Sequence, residues 1–116
     1  MPTLSQIADG VYAAGQLYDE DLAELARQGV KVIVNNRPDG EEPGQPTAGH
    51  AAEVAAKHGM AYHYIPVGRE GPTAQAVDQM VAVLKDAQGP IVAHCRSGAR
   101  STGIYQMARA RLAGAR

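Results

Sequence analysis

The one cysteine of the 116-residue chain, Cys95, stands in the run His94-Cys95-Arg96-Ser97-Gly98-Ala99-Arg100-Ser101. A short apolar stretch, Ile91 to Ala93, precedes it, and a helical pattern follows from Ser101. In the order strand, cysteine, glycine-containing turn, arginine, serine, helix, each part has a chemical use. The turn aims successive backbone N–H groups at one point, a nest for an anion. Those amides run on into a helix N-terminus and its partial positive charge. A thiol in that field is stabilised as thiolate, as at sites that draw a cysteine pKa from about 8.5 into roughly the 3.5–7.5 range. Arg96, Ser97, Gly98 and Ala99 form the anion-binding turn, with Gly98 relaxing the backbone where a side chain would clash or φ must be positive. Arg100 can clamp two oxygens of an oxyanion. Ser101 can donate a hydrogen bond to the sulfur as it leaves or re-forms. The expected catalytic set is Cys95, Arg100 and Ser101. The competing account is a buried, inert cysteine behind a helix start, but packing alone does not call for this run.

Further candidates lie on other loops of the same predicted sheet edge. Arg37 and Arg69 are placed to line the pocket and draw in anions, against the alternative of solvated surface arginines. Arg96 is expected to point outward, onto substrate or a nearby acid. His94 is expected beneath the loop as structural support, and Asn35 and Asn36 as ties between loops. Glu41 and Glu42 read as a solvated acidic corner, and Tyr62 and Tyr64, on one face of a strand, as core. His50 and His58 fall about 80° apart around one helix, so with His63 they make no metal set, and no metal or cofactor is expected.

The elements that must position these residues alternate between strand and helix, which predicts a small α/β domain with a mainly parallel central sheet flanked by helices. Strands are expected over residues 10–14, 30–35, 60–66 and 91–93. Helices are expected over 19–28, from a Thr47 cap to His58, from a Thr73 cap to the Gly89-Pro90 stop, and over 101–112, with Ile104, Ala108 and Leu112 on the buried side of the last. The stretch Asn36 to Pro46, with three prolines and two glycines, is a loop after a strand end, where open α/β sheets place their sites. A second loop runs from Gly68 to Pro72.

The length suits one domain, residues 1–116. With no Phe and no Trp, the core must be built from Ala, Val, Ile, Leu, Met and Tyr. A formal net charge of −1 offers no basis for nucleic-acid or membrane binding. No basic-then-apolar leader and no membrane-length apolar run occur, so a cytoplasmic protein is expected. One cysteine excludes an internal disulfide and a dithiol redox pair.

From Gly10 to Leu112 the chain resembles the beta-lactamase-hydrolase-like protein phosphatase-like family, a bacterial branch of the protein tyrosine phosphatase fold. The resemblance rests on VIVNNRPDGEEPGQP (32–46), YIPV (64–67) and HCRSGARS (94–101). It implies the small dual-specificity-phosphatase architecture, with Cys95 as nucleophile and His94 supporting the loop. The phosphatase signature, however, places five residues between cysteine and arginine, and here four separate Cys95 from Arg100. Cys-Arg-Ser-Gly-Ala-Arg-Ser instead looks like the active loop of rhodanese sulfurtransferases. One residue fewer removes up to ~3.3 Å of contour, a tighter ring better matched to one sulfur atom than to a phosphoryl group. Phosphoester cleavage also favours a positioned general acid, yet between Tyr64 and Ala76 the only carboxylate is Glu70. Glu70, or Asp39 from the other loop, remains open as an acid.

The expected function is sulfur transfer from thiosulfate or a persulfide, through a Cys95 persulfide, to cyanide or an external small thiol such as glutathione. The runner-up is a phosphatase acting through a Cys95 phosphocysteine. A third reading is a non-catalytic persulfide carrier or sensor. Relatives fused to metallo-β-lactamase-like persulfide dioxygenases make association with such an enzyme a further implication of the resemblance.

Overall fold

A computed structural model describes residues 3–114. Nine elements follow in order: β1 (Leu4–Ala8), β2 (Val11–Ala14), α1 (Asp19–Arg27), β3 (Val32–Asn35), α2 (Ala48–Lys57), β4 (Ala61–Tyr64), α3 (Ala74–Asp86), β5 (Ile91–His94) and α4 (Ala99–Gly114). They build a five-stranded sheet in the order β1-β2-β5-β3-β4. The β1–β2 pair is antiparallel and the other three pairings are parallel. This is the expected α/β architecture, extended by a strand the sequence reading lacks.

Alternation along the strands divides the core into two layers. Val32, Val34, Ile91 and Ala93 face α3 and α4, meeting Val77, Met80, Ile104, Tyr105 and Ala108. Ile33 and Val92 face the opposite side, meeting Leu22 and Leu25 of α1 and Ala55 of α2. A period of two puts successive side chains on opposite faces, so three-residue apolar runs supply both layers at once. Small residues on α2 and α4, Ala55 and Ala108, are fully buried, which fits a core without Phe or Trp.

Thr47 and Thr73 cap their helices as expected, accepting from the backbone amides of His50 and Ala76. α3 ends at Asp86, ahead of the Gly89-Pro90 stop. α4 starts at Ala99, two residues before the expected Ser101, because the turn closes into helical geometry right after Gly98. Leu112, expected on the buried side, is only half-buried. β4 is confined to 61–64, and Tyr64 is exposed on this edge strand rather than in the core, while Tyr62 is half-buried.

Register fixes the functional edge. Ala14, His94, Asn35 and Tyr64 lie abreast across four strands. The chain therefore leaves β2, β5, β3 and β4 at one level, and the segments beginning at Gly15, Cys95, Asn36 and Ile65 converge there. Among the described residues no helix is long and apolar enough to cross a membrane.

Candidate active site

β5 is the central strand, so Cys95 emerges from the middle of this edge. Its amide bonds back to the Ala14 carbonyl at 3.2 Å, and its side chain is buried. The chain then turns through Gly98, whose φ of 96° lies in the left-handed region that glycine tolerates. The turn aims the Gly98 amide at Cys95 Sγ, 3.0 Å away. Burial pushes the thiol pKa up, but the backbone amides of Ser101, Ser97, Gly98 and Arg100 outweigh it and bring the pKa below the ordinary thiol value. The predicted nest is present, with one exception: the Ala99 amide turns to Ser97 Oγ at 3.4 Å.

Ser101 contributes differently from expectation. Its hydroxyl donates to Asn36 Oδ1 at 2.8 Å, so that proton is committed and only the backbone amide serves the sulfur. Asn36 in turn donates from Nδ2 to the Ile65 carbonyl at 2.8 Å, and its amide donates to the His94 carbonyl at 2.8 Å. This fully buried residue ties three of the converging segments together, the role expected of it. Asn35 accepts from the Arg37 amide and donates to the Tyr62 hydroxyl, both at 2.9 Å. His94 is buried beneath the loop, and its Nδ1 has no hydrogen-bond partner. Burial pushes its pKa down to about 4, opposed by a backbone contact with Cys95 and reinforced by the charge of Arg37. At neutral pH the imidazole is uncharged.

Arg37 does not line the pocket. It is 1% exposed, and its guanidinium is spent on Glu41, Gln16 and Glu42, each at 2.9 Å. Burial works against its charge, and Glu42 and Glu41 more than offset that. The acidic corner is exposed as expected, yet its carboxylates are paired with arginines rather than free. Glu41 also grips Arg100 with both oxygens, at 2.7 and 2.8 Å, while Arg100 Nη1 reaches the Val67 carbonyl at 2.8 Å. Its hydrogen bond from Arg100 holds the Glu41 pKa down to about 2, with Arg37 adding to the fall and burial opposing it. Arg100 is thus held beside the loop with a carboxylate on its oxyanion-binding face.

Three residues to which the sequence reading gave no part in the site shape it. Glu41 bridges the two arginines, Gln16 completes the Arg37 shell, and Gly15 lets β2 approach the loop. A Cβ at Gly15 would come within 3.0 Å of the Arg96 carbonyl oxygen. The Gly15-Gln16 pair directly after an apolar strand was the available signal for the last two.

Beside the loop opens a cavity of about 530 Å³, whose rim carries Arg69, Arg96, Arg100 and Glu41, and whose wall includes Val67, Ile104 and Met107. Arg69, placed at the pocket in the sequence reading, lines this cavity, and so does Arg96, expected to point outward from the loop. A larger hollow of about 620 Å³ runs along β4 and α3 between Tyr62, Tyr64 and Val83. It holds neither arginine nor any residue of the cysteine loop, so the chemistry belongs to the smaller one. Asp39, one candidate acid, accepts from the Ala48 amide at 2.8 Å at the start of α2. Glu70 is exposed and is not part of the cavity lining. Among the described residues, no group of three or more His, Cys, Asp or Glu is placed to hold a metal ion.

Comparison with known proteins gives this geometry a context. The family model described as "Beta-lactamase hydrolase-like protein, phosphatase-like domain" matches residues 3–112. A Beta-lactamase hydrolase-like protein from Agrobacterium fabrum is 40% identical over 107 residues, covering 90% of this chain and 24% of its own length. One of the same name from Xylella fastidiosa is 35% identical over 96 residues, covering 81% and 22%. The chain spans about a quarter of the length of these curated relatives. Among solved structures, a protein from Neisseria meningitidis named provisionally as a phosphatase aligns with a TM-score of 0.80 at 28% identity, over 90% of this chain and 75% of its own. A kinase associated phosphatase with its catalytic cysteine changed to serine aligns with a TM-score of 0.77 at 14% identity, over 97% and 74%, a likeness of fold alone. The neighbours establish a tyrosine-phosphatase-like fold. They lend no support to sulfur transfer.

Proposed function

The chain belongs to the Beta-lactamase hydrolase-like protein, phosphatase-like domain family, and within that phosphatase-like fold we propose that it is a sulfurtransferase whose Cys95 carries sulfane sulfur as a persulfide. The observation that carries the reading is the length of the loop: four residues between Cys95 and Arg100, closed so that the Gly98 amide lies 3.0 Å from the sulfur. Four amides on one atom suit a thiolate, and then the inner sulfur of a persulfide, as a small anionic guest. In the first step the Cys95 thiolate attacks the outer sulfur of thiosulfate. The Cys95 S–S bond forms, the donor S–S bond breaks, and sulfite leaves with the electron pair. In the second step an external thiolate or cyanide attacks the outer sulfur of the persulfide, and Cys95 leaves as thiolate.

Neither leaving group in this sequence needs a proton, and the carboxylates near the site are ill suited to give one. Glu41, with a pKa of about 2 and both oxygens on arginines, is ionised at neutral pH. Asp39 is engaged at a helix start and Glu70 stands apart from the cavity lining. A general acid works best with a pKa near the operating pH.

Phosphatase chemistry through a Cys95 phosphocysteine is the second reading, favoured by the family description and by the solved neighbours. A paired assay separates the two: thiosulfate with cyanide against an aryl phosphate, with Cys95→Ser as control, alongside mass spectrometry of donor-treated protein. Sulfur transfer predicts a one-sulfur adduct on Cys95 and thiocyanate release. Aryl phosphate turnover with no such adduct reverses the assignment. Stoichiometric adduct without turnover marks a persulfide carrier. In the setting of the longer relatives, we propose the same site as a partner to a persulfide-oxidising enzyme.

A further inference from the structure

The cavity beside the cysteine loop is far larger than thiosulfate, a five-atom ion, requires. At about 530 Å³ it falls in the range that encloses organic ligands, roughly 300–1,000 Å³. Its lining is of two kinds. Val67, Ile104 and Met107 give an apolar wall, and Met107 is 48% exposed, an unusual degree for a large apolar side chain beside a polar rim. Arg69 and Arg96 give positive charge. Among the described residues neither guanidinium has an ion-pair or hydrogen-bond partner, whereas Arg100 is already matched by Glu41. The rim therefore carries two arginines without a hydrogen-bond or ion-pair partner over an apolar surface, with Arg96 feeling the charge of Glu42 from a distance, and Arg96 and Arg100 of the cysteine loop join the cavity to the group that would hold the transferred sulfur.

We infer that this cavity seats the sulfur acceptor, and that the acceptor is an organic thiol bearing its own anionic groups, recognised by Arg69 and Arg96. The inference rests on the sulfur-transfer reading and narrows it. The body of the thiol lies along Val67, Ile104 and Met107, and its anionic group pairs with the two arginines. Its sulfur meets the outer sulfur of the Cys95 persulfide. A new S–S bond forms between acceptor and outer sulfur, the Cys95 S–S bond breaks, and Cys95 departs as thiolate. The product is the acceptor's persulfide, and no oxidant or reductant is needed.

The test begins with the full chain loaded by thiosulfate, freed of sulfite, and checked by mass spectrometry for the one-sulfur adduct. Discharge of the adduct is then timed with glutathione and with glutathione diethyl ester, which has the same thiol but both carboxylates masked and only its amino group left to carry charge, across a range of salt. The expected result is a preference for glutathione of about three- to tenfold, the scale of one or two exposed ion pairs, shrinking as salt rises. In R69A/R96A the preference for glutathione over its ester is expected to vanish, together with its salt dependence. Equal discharge by both thiols overturns the inference, as does a preference that survives unchanged in R69A/R96A. Failure to load Cys95 at all overturns the sulfur-transfer reading beneath it, which separates the two failures.

Discussion

At the scale of single residues, the site is a contest between burial and directed hydrogen bonds. Cys95 is nearly inaccessible, which alone would leave a neutral, sluggish thiol; the loop amides reverse the balance. The rate of alkylation of Cys95 by a small neutral reagent should therefore rise with pH and level off below the ordinary thiol pKa of about 8.5. A midpoint at or above that value would mean that the amides do not hold the anion. Arg100 presents a different balance. Its fork is matched to the two oxygens of Glu41 and donates to the Val67 carbonyl. Lysine keeps the charge but lacks the planar fork. Arg100→Lys should therefore lower kcat/KM for an anionic donor by roughly 10- to 100-fold, less than the roughly 100- to 1000-fold seen when a charge-stabilising donor is removed outright, because the charge remains. A change under twofold would show that Arg100 serves packing and not the reacting anion.

At the scale of elements, the precision of the site comes from loops pinned to one another. Asn36 accepts from the Ser101 hydroxyl and donates to the Ile65 carbonyl, both out of reach of water. Asn36→Ala leaves both partners unpaired, and each buried polar group so orphaned costs about 1–3 kcal/mol. A loss of roughly 2–5 kcal/mol in denaturant unfolding is expected, together with a shift of the Cys95 alkylation midpoint toward the free thiol. Normal stability would refute the role assigned to these two bonds. These ties also mark where sequence reading reached and where it stopped. Apolar runs between turn residues carry local information, so the strands expected over 30–35 and 91–93 are found, as Val32–Asn35 and Ile91–His94. β1 was missed although Asp9-Gly10, with Gly10 at a φ of 71°, is a hairpin turn signal; the flanking strand is only partly buried and its pattern is weak. The cysteine loop was legible because its parts are contiguous. The capture of Arg37 by Glu41, Glu42 and Gln16 was not: an arginine's direction depends on which acids a proline-rich loop brings back to it, and no local propensity encodes that return.

At the scale of the whole molecule, two buried or paired groups give folding stability an acid dependence in two steps. His94 has its pKa lowered to about 4 from an ordinary value of 6.5, so the unfolded chain takes up its proton first. Its contribution is complete above pH 6.5 and is lost as pH falls from there through 4. Glu41 has its pKa lowered to about 2 from 4.5, so its contribution is complete above 4.5 and is lost as pH falls toward 2. Cys95 acts in the same sense at higher pH, because a stabilised thiolate favours the folded state until it is protonated; a Cys95→Ser background removes that overlap. In this background, thermal melts followed by circular dichroism should show Tm falling first between pH 6.5 and 4 and again between 4.5 and 2. His94→Asn should flatten the upper step and Glu41→Gln the lower. If His94→Asn fails to fold, the imidazole's own NMR titration in the Cys95→Ser chain carries the test, with a midpoint expected near 4. A midpoint near 6.5 would mean that the imidazole meets water or an acid. A charge would then stand against the Cys95 backbone, and the uncharged support directly beneath the nucleophile would be gone.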